Sequence, residues 1–309
     1  MIDNQWTIRN FQPGDFEDFL RLHQESEKLD RTGRRVSEPL LKEALLYPGF
    51  QPENDLFLMQ GSAHLIGYIR VFQEPGIERA LVSGLVHPQH RRKGIATLLF
   101  GRAVRHAQTA GVGRIQISIA EKNSTARQLC TRLGLQFIRY FYGYRLNLPA
   151  ARLPQIRTSE YVFRSLRRGE ENQLTDIQNR AFSGTWGFNP NTQEEIAYRI
   201  HSSTCSPRDV IMVYRQDRPI AYCWTRIFQD AGGAGGVSRG EIHMLGVDPE
   251  YRKQSIGKNV LLAGLSHLEE KGVELVELTA DSEMPAALAL YESVGFEKYM
   301  KTEWYEKKL

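Results

Sequence analysis

Residues 241–247 form an alternating pattern that begins with polar Glu241 and His243 between apolar residues, and a helical spacing follows. The alternation predicts a strand with two faces, one carrying Glu241, His243, Leu245 and Val247 and the other Ile242, Met244 and Gly246. Val260, Leu261, Gly264, Leu265 and Leu268 then recur at helical spacing, which predicts a helix over Ile256 to Gly272. The segment is therefore predicted to run from strand to turn to helix.

This strand, turn and helix pattern occurs twice in the chain. Residues 85–96 match residues 246–257 at an offset of 161, with Val86 set against Val247. The same offset holds without a gap as far as Gly134 and Gly295. A match of this length predicts a duplicated domain.

Each half is predicted to begin with a strand and one or two helices. A hairpin and the strand of the repeated pattern, the motif strand, come next, followed by a helix, a strand, a helix and closing strands. This order predicts an α/β fold of two tandem domains, each with a mixed central sheet flanked by helices. Residues 148–154 hold two prolines and no periodicity. We place the N-terminal domain at residues 1–148, a linker at 149–158 and the C-terminal domain at 159–309.

Composition narrows the functional classes. The 309 residues suit two domains, and the net charge of +4 is concentrated in a few turns, so nucleic acid is not an expected partner. No apolar run approaches the length of a membrane span and the N-terminus lacks a secretory pattern, which predicts a cytoplasmic protein. Cys130, Cys205 and Cys223 have no CxxC spacing, so neither a disulfide framework nor a metal site is expected.

The two turns after the motif strands are basic and each begins a helix. Backbone N–H groups at a helix N-terminus bind phosphate, and glycine lets the backbone approach closely. The alternative interpretation is a solvated basic loop. The predicted phosphate-binding residues are Arg91, Arg92, Lys93, Gly94, Ile95, Ala96 and Thr97 in the first turn and Arg252, Lys253, Gln254, Ser255, Ile256, Gly257 and Lys258 in the second.

With the Val-x-Pro strand before each turn and the Leu-Gly-Leu or Val-Gly-Phe after it, both halves resemble the GNAT acyl-CoA N-acetyltransferase superfamily. The resemblance covers nearly the whole chain. It implies that coenzyme A lies along the motif strands, and that Asn123 keeps the family's asparagine while Met284 replaces it in the second half. The implied strand contacts are Leu85 and Val86 in the first half and Leu245, Gly246 and Val247 in the second.

The tandem arrangement is most similar to the mycothiol synthase family, in which the C-terminal domain performs the chemistry. The family's glutamate on the motif strand and tyrosine before Gly-Phe match Glu241 and Tyr291. A carboxylate can act as the base for the acceptor amine, and a phenol can protonate the departing thiolate. The offset of 161 gives Ala80 and Cys130 at these positions in the first half. Packing for Tyr291, and a solvated strand entrance for Glu241, are the alternative interpretations.

We therefore expect an acetyl-CoA-dependent N-acetyltransferase that modifies a primary amine of a small molecule, with catalysis in the second domain. Ser255 and Met284 depart from the family pattern and predict weaker coenzyme A binding there. Catalysis in the first domain is one alternative. Another is a non-catalytic acyl-CoA sensor or partner-binding module. The aromatic loop over residues 182–190 is a candidate wall of the acceptor pocket, or else packs the neighbouring helix.

Overall fold

A computed structural model describes residues 6–33, 37–156, 160–228 and 238–309. The last two residues of the predicted linker and the first five of the predicted N-terminal domain lie outside these ranges. The chain folds into two compact units. Unit 1 comprises residues 1–138 together with 303–309, and unit 2 comprises residues 139–302.

Unit 1 begins with a strand and three helices before its hairpin. Its strands are β1 (Thr7–Asn10), β2 (Leu56–Gln60), β3 (Leu65–Glu74), β4 (Arg79–Val86) and β5 (Arg114–Ala120), and its helices are α1 (Phe16–Asp30), α2 (Glu38–Leu45), α3 (Pro52–Asp55), α4 (Ile95–Thr109) and α5 (Ser124–Arg132). The sheet order is β1-β2-β3-β4-β5, with the last residues of the chain beside β5. Only β4 and β5 pair in parallel among these strands, so the sheet is mixed.

Unit 2 repeats this order with two helices, and not three, before its hairpin. Its strands are β6 (Gln136–Asn147), β7 (Val162–Ser165), β8 (Val210–Arg215), β9 (Arg218–Phe228), β10 (Arg239–Val247), β11 (Leu275–Asp281) and β12 (Glu297–Lys308), and its helices are α6 (Glu171–Phe182), α7 (Gln193–Ile200), α8 (Ile256–Glu270) and α9 (Pro285–Glu292). The first three residues of β6 and the last six of β12 belong to unit 1. The sheet order in unit 2 is β12-β6-β11-β10-β9-β8-β7. The predicted α/β class with mixed sheets flanked by helices is confirmed.

The closing strands are exchanged relative to the sequence repeat. β6 follows the first half of the chain, but its residues 141–147 pair with β11 of unit 2, from Asn147 opposite Leu275 to Phe141 opposite Asp281. The end of β12 is built into unit 1, where Glu303 bonds Arg127 and the backbone N–H of Leu309 donates to Gly113. The compact units therefore differ from a division of the chain at residue 148.

Apolar residues cover both faces of each sheet. In unit 2, α8 and α9 pack on one face through a cluster that includes Val260, Leu265 and Phe296. α6 and α7 pack on the other through Leu174, Ile196 and Trp224. Unit 1 has the same two layers. Each motif strand thus has one face toward the early helices and one toward the later pair.

Each unit contains a hydrogen-bonded pair of one histidine and one aspartate. His106 Nε2 lies 2.8 Å from Asp55 Oδ1 in unit 1, and His267 Nε2 lies 2.8 Å from Asp209 Oδ1 in unit 2. Both aspartates are buried. Burial raises the pKa of Asp209, but hydrogen bonds from His267 and Ser206 outweigh it and the net pKa is lowered.

Replacement of Asp209 by asparagine is expected to destabilise unit 2 by about 1–3 kcal/mol, since a buried hydrogen-bond partner of His267 loses its charge. Because the folded pKa of Asp209 is lowered, its contribution is fully present above the ordinary aspartate pKa of about 3.9 and is lost as the pH falls through the folded value. The difference in unfolding free energy between wild type and Asp209→Asn should therefore shrink in acid. Urea titrations at several pH values measure it. The exposed Asp217→Asn serves as control and should show no such difference.

Candidate active site

The strands of the motif separate where the candidate base lies. β10 pairs in parallel with β11 at Arg239, Gly240 and Glu241 only, although both strands continue well beyond that point. β4 and β5 separate in the same way after Leu81 and Gln116. Beyond this separation of the two strands, the fork, the backbone of each motif strand has N–H and C=O groups that do not hydrogen-bond to β11 or β5. Such groups can bind an extended amide-bearing ligand.

A β-bulge interrupts β10. Its pairing with β9 passes from Ile242 opposite Thr225 directly to Met244 opposite Trp224, so His243 is an extra residue. The alternation predicted from the sequence is therefore wrong beyond the bulge. Ile242, Leu245 and Val247 pack toward α8 and α9. Glu241, His243, Met244 and Gly246 occupy the other face, with the His243 ring 5.0 Å from that of Trp224.

The bulge also corrects the comparison between the halves. β4 pairs with β3 without interruption. Glu241 lies opposite Glu277, and the residue 161 positions before Glu277 is Gln116, which lies opposite Leu81. The structural counterpart of Glu241 is therefore Leu81 and not Ala80, because the inserted His243 shifts the offset by one. The first unit still lacks a carboxylate at this position.

Glu241 is partly exposed and lies among charged neighbours. Its Oε1 is 3.9 Å from Nδ1 of His243, and its register partner on β9 is Arg226. Burial raises the pKa of Glu241, but the proximity of His243 and then the charge of Arg226 outweigh it, and the net pKa is lowered. The group is an ionised carboxylate at neutral pH.

Tyr291 is buried on the other face of the sheet, at the end of α9. Its ring lies 6.0 Å from the ring of Tyr144 and 6.0 Å from that of Phe296. Burial raises the pKa of Tyr291 well above its ordinary value. Among the described residues, the Tyr291 hydroxyl makes no hydrogen bond to protein. The phenol is held neutral and can donate its proton to a ligand.

Tyr144 reaches this position through the exchanged strand β6 and was missed by the sequence analysis. It is fully buried, and its hydroxyl donates to Glu292 over 3.0 Å. The residue 161 positions later is Tyr305, which packs in the unit 1 core beside Cys130. The 161-residue offset, applied to the closing strands, would have matched Tyr144 with Tyr305 from the sequence alone.

Unit 1 offers different chemistry at the tyrosine position. Cys130 is buried, and burial raises its pKa to about 11. Burial also raises the pKa of Tyr305 to about 12, aided by its hydrogen bond to Glu303. Glu303 is in turn paired with Arg127. This site has neither the free phenol of Tyr291 nor a carboxylate equivalent to Glu241.

The two basic turns share one backbone conformation. Arg92 and Lys253 have φ of 68° and 61°, and Gly94 and Ser255 have φ of 85° and 61°. The predicted turn is thus formed in both units, ahead of α4 and α8. Ser255 takes a left-handed conformation that glycine adopts without strain. Its hydroxyl does not cap the helix.

Arginine begins each turn, and its guanidinium is already bonded to protein. Arg91 Nε donates to Val86 O over 3.0 Å and its terminal nitrogens pair with Asp30. Arg252 Nε donates to Val247 O over 3.3 Å and Nη2 to Ala181 O over 2.6 Å. These two predicted phosphate ligands hold the turn against the end of the motif strand.

The other predicted cofactor residues fall into three groups. Arg92, Lys93, Thr97, Lys253 and Gln254 are exposed around the turns, and Lys258 is half-buried. Ile95 and Ile256 are buried as the first helical residues, followed by the half-buried Ala96 and Gly257. Leu85, Val86, Leu245, Gly246 and Val247 lie on the unpaired side of the forks.

Asn123 has a structural use. Its side chain caps α5 by accepting from the backbone of Ala126 over 3.0 Å. Met284 takes the equivalent place before α9 and forms no side-chain cap, with Pro285 following as the first helical residue. Helix capping therefore accounts for an asparagine at this position, and cofactor binding by Asn123 stays a prediction.

The aromatic loop of unit 2 contacts β6. Trp186 lies 6.1 Å from the ring of Phe141, and the guanidinium of Arg139 lies 4.4 Å from the Trp186 ring. Arg139 also pairs with Asp281 at the end of β11 over 2.7 Å. The loop is therefore held at the carboxyl-terminal end of β11, where β10 and β11 have separated.

Ser255→Gly is expected to raise the unfolding free energy of unit 2 by about 1 kcal/mol, because glycine removes the strain of a left-handed non-glycine residue. Coenzyme A should bind no more weakly, since the backbone N–H is retained. Thermal melting and calorimetric titration with coenzyme A measure the two effects. Ser293→Gly, at an ordinary helical φ of −66°, is the control and should not stabilise.

The described ranges contain no cluster of three or more histidine, cysteine, aspartate or glutamate residues arranged to hold a metal ion. Within the same ranges, no helix is both long and apolar enough to cross a membrane.

Residues 17–135 and 172–296 both match the model of the acetyltransferase (GNAT) family, which together is more than half of the chain. The chain belongs to the GNAT acetyltransferase family. It is an N-acetyltransferase with two tandem GNAT regions, as the sequence pattern predicted, and the family uses acyl-CoA.

Relatives match this GNAT chain over most of its length. A mycothiol acetyltransferase of Thermobispora bispora is 29% identical over 307 residues, covering 96% of this chain and 97% of the relative. One from Nocardia farcinica is 27% identical over 268 residues and 84% of each chain. The crystal structure of a GCN5-related N-acetyltransferase from Sphaerobacter thermophilus has a TM-score of 0.77 and 19% identity, covering 100% of this chain and 97% of that one.

Proposed function

We propose that this GNAT protein transfers the acetyl group of acetyl-CoA to a primary amine of a small molecule, and that the transfer takes place in unit 2. The observation that carries the proposal is the presence in unit 2 of Glu241 at the fork and of Tyr291, whose hydroxyl bonds no described protein group, on the other face of the sheet. Unit 1 has Cys130 and Leu81 in their places. The names of the two relatives support acetyl transfer to a small molecule.

The unpaired edge of β10 suits the pantetheine arm of the substrate. Its backbone groups from residue 242 onward are not paired with β11. Gly246 allows close packing on its other face, where an added Cβ would lie 2.4 Å from Cε1 of Tyr222. The pyrophosphate would meet the backbone N–H groups of the turn at Lys253 to Gly257 and the exposed Lys253 side chain. Leu245 and Val247 would flank the arm.

The two ionisable groups have protonation states that suit amide formation. The amine must lose a proton before it attacks the thioester, and an ionised Glu241 can receive that proton directly or through a neighbour. Tyr291 is neutral, so it can protonate the departing thiolate, whose conjugate acid has an ordinary pKa near 8.5. The phenol regains a proton from the nitrogen of the collapsing intermediate.

Unit 1 serves in this proposal as a binding or structural copy. Its turn has Gly94 at the left-handed position that Ser255 occupies in unit 2, and its β4 backbone is not paired with β5 beyond Leu81. Unit 1 can therefore hold coenzyme A without catalysing transfer. The catalytic role falls to the C-terminal half, predicted as residues 159–309, without its last residues 303–309, which belong to unit 1.

A panel of small primary amines, offered with acetyl-CoA, tests the proposal by following the release of free thiol. We expect thiol release with at least one amine and none with the corresponding tertiary amines. Retained coenzyme A binding without thiol release from any amine would contradict the proposal and favour an acyl-CoA sensor. Titration with propionyl-CoA and butyryl-CoA in the same assay distinguishes acetyl from longer acyl groups.

A further inference from the structure

The bulge in β10 places a histidine beside the candidate base. His243 is the residue by which β10 exceeds the pairing of β4, so unit 1 has no counterpart to it. Bulges re-aim side chains and concentrate near active sites. Without His243, Met244 would follow Ile242 directly, and the alternation of faces would run unbroken from Glu241 to Gly246.

The imidazole of His243 has one nitrogen near a carboxylate and one without a partner. Nδ1 faces the carboxylate of Glu241 across 3.9 Å. Nε2 is buried and has no hydrogen-bond partner within the described parts of the chain. The edge of the ring stands against Trp224 at an interplanar angle of 80°. A buried polar atom without a partner costs free energy, and a ligand that supplies the missing bond recovers it.

Charged groups around the ring decide its protonation. Burial lowers the pKa of His243, while Glu241 on the same strand raises it and Arg226 of β9 and Arg199 of α7 lower it, with a net decrease. The imidazole is neutral at neutral pH. With its hydrogen on Nδ1, toward the carboxylate, the lone pair on Nε2 is available.

We propose that His243 is a catalytic residue of the acetyl transfer, receiving the proton of the acceptor ammonium at Nε2 while Glu241 stabilises the imidazolium through Nδ1. This inference rests on the proposed function. It assigns Glu241 the role of a positioning and charge-stabilising residue. The ordinary pKa of an imidazole is also closer to neutral pH than the lowered pKa of the Glu241 carboxylate, so the imidazole is the more efficient base.

The acceptor nitrogen loses two protons in the transfer. The acceptor ammonium loses its first proton to Nε2, and the nitrogen lone pair then forms a bond to the thioester carbonyl carbon. Collapse of the tetrahedral intermediate breaks the carbon–sulfur bond, and the thiolate takes the Tyr291 proton. The amide nitrogen gives up its second proton to restore the phenol, and the imidazolium releases the first proton to solvent.

The test compares His243→Gln and His243→Ala with the wild type, using an amine that the panel identifies. Loss of a general base predicts a fall in kcat of about 10² to 10⁴ fold, with the KM for acetyl-CoA changed little. The wild-type kcat should decline in acid below the ordinary imidazole pKa of about 6.5, and His243→Gln should lose that decline. Added imidazole should restore part of the rate of His243→Ala.

Controls separate catalysis from folding. His201→Gln alters a half-exposed histidine at the end of α7 and should leave kcat unchanged. Melting curves and coenzyme A titrations show whether the His243 variants are folded, and imidazole rescue cannot come from an unfolded chain. A full rate and an unchanged pH profile in His243→Gln, with Glu241→Gln impaired, would overturn the inference and leave the proposed function intact. Absence of thiol release by the wild type would contradict both.

Discussion

Tyr291→Phe should lower kcat for acetyl transfer by about 10² to 10⁴ fold while leaving the KM for acetyl-CoA nearly unchanged. The substitution removes one oxygen from a buried ring that packs on Tyr144 and Phe296, and the apolar contacts of the ring remain. Because the hydroxyl bonds no described protein group, the folded unit should not lose stability. Removal of the proton donor therefore affects the leaving thiolate and little else.

Steady-state thiol release across a range of acceptor concentrations measures this effect, and melting curves check the fold. Leaving thiols of lower pKa need less protonation, so an acetyl thioester of an aromatic thiol should be used by Tyr291→Phe with a much smaller loss. Tyr299→Phe, at a more exposed position on β12, is the matched control. An unchanged kcat in Tyr291→Phe would show that the tyrosine only packs α9 against the sheet.

Removal of residues 303–309 should unfold unit 1, although these residues come at the far end of the chain. The segment contributes the buried Tyr305 and Glu303, and the Glu306 carboxylate accepts from Gln116 over 2.8 Å. Lys307 Nζ also donates to Leu133 O over 2.6 Å. Loss of a buried aromatic alone costs about 3–5 kcal/mol, which is a large share of the stability of a domain.

Limited proteolysis followed by mass mapping measures the effect of this truncation. We expect cleavage to concentrate within residues 6–138, with the fragments of unit 2 surviving longer. Lys308→Ala changes an exposed residue in the same segment and should behave as the wild type. If the truncated chain melts and resists protease as the full chain does, the closing strand contributes little to unit 1.

The repeat, the α/β fold and the two turns ahead of α4 and α8 could be predicted because they depend on local signals. Glycine at a left-handed φ, proline after the strand and a helical apolar spacing each act within a few residues. The offset of 161 residues then linked the two halves. Tyr291 followed from the motif before Gly295, and the structure places it in a pocket of aromatic rings.

The bulge at His243 could not be predicted from the pattern. Residues 241–247 alternate well enough for a regular strand, and only the pairing with β9 shows where one residue is inserted. Hence the faces of Leu245 and Val247, and the counterpart of Glu241, were mispredicted. The exchange of β6 and β12 also escaped prediction, since pairing between distant strands is not encoded in their own periodicity. The bonds of Arg91 and Arg252 to backbone carbonyls depend on the folded turn.

The division of roles between the units is tested most directly by placing a carboxylate in each phosphate turn and measuring thiol release. Both turns have a left-handed backbone at this position, and a side chain at Gly94 would meet open space. Gly94→Glu adds the strain of a left-handed side chain that Ser255 already carries, so circular dichroism checks that each variant folds. A carboxylate repels the pyrophosphate of acetyl-CoA. We predict that Ser255→Glu abolishes turnover and that Gly94→Glu retains it. Loss of turnover in Gly94→Glu with activity retained in Ser255→Glu would contradict catalysis in unit 2.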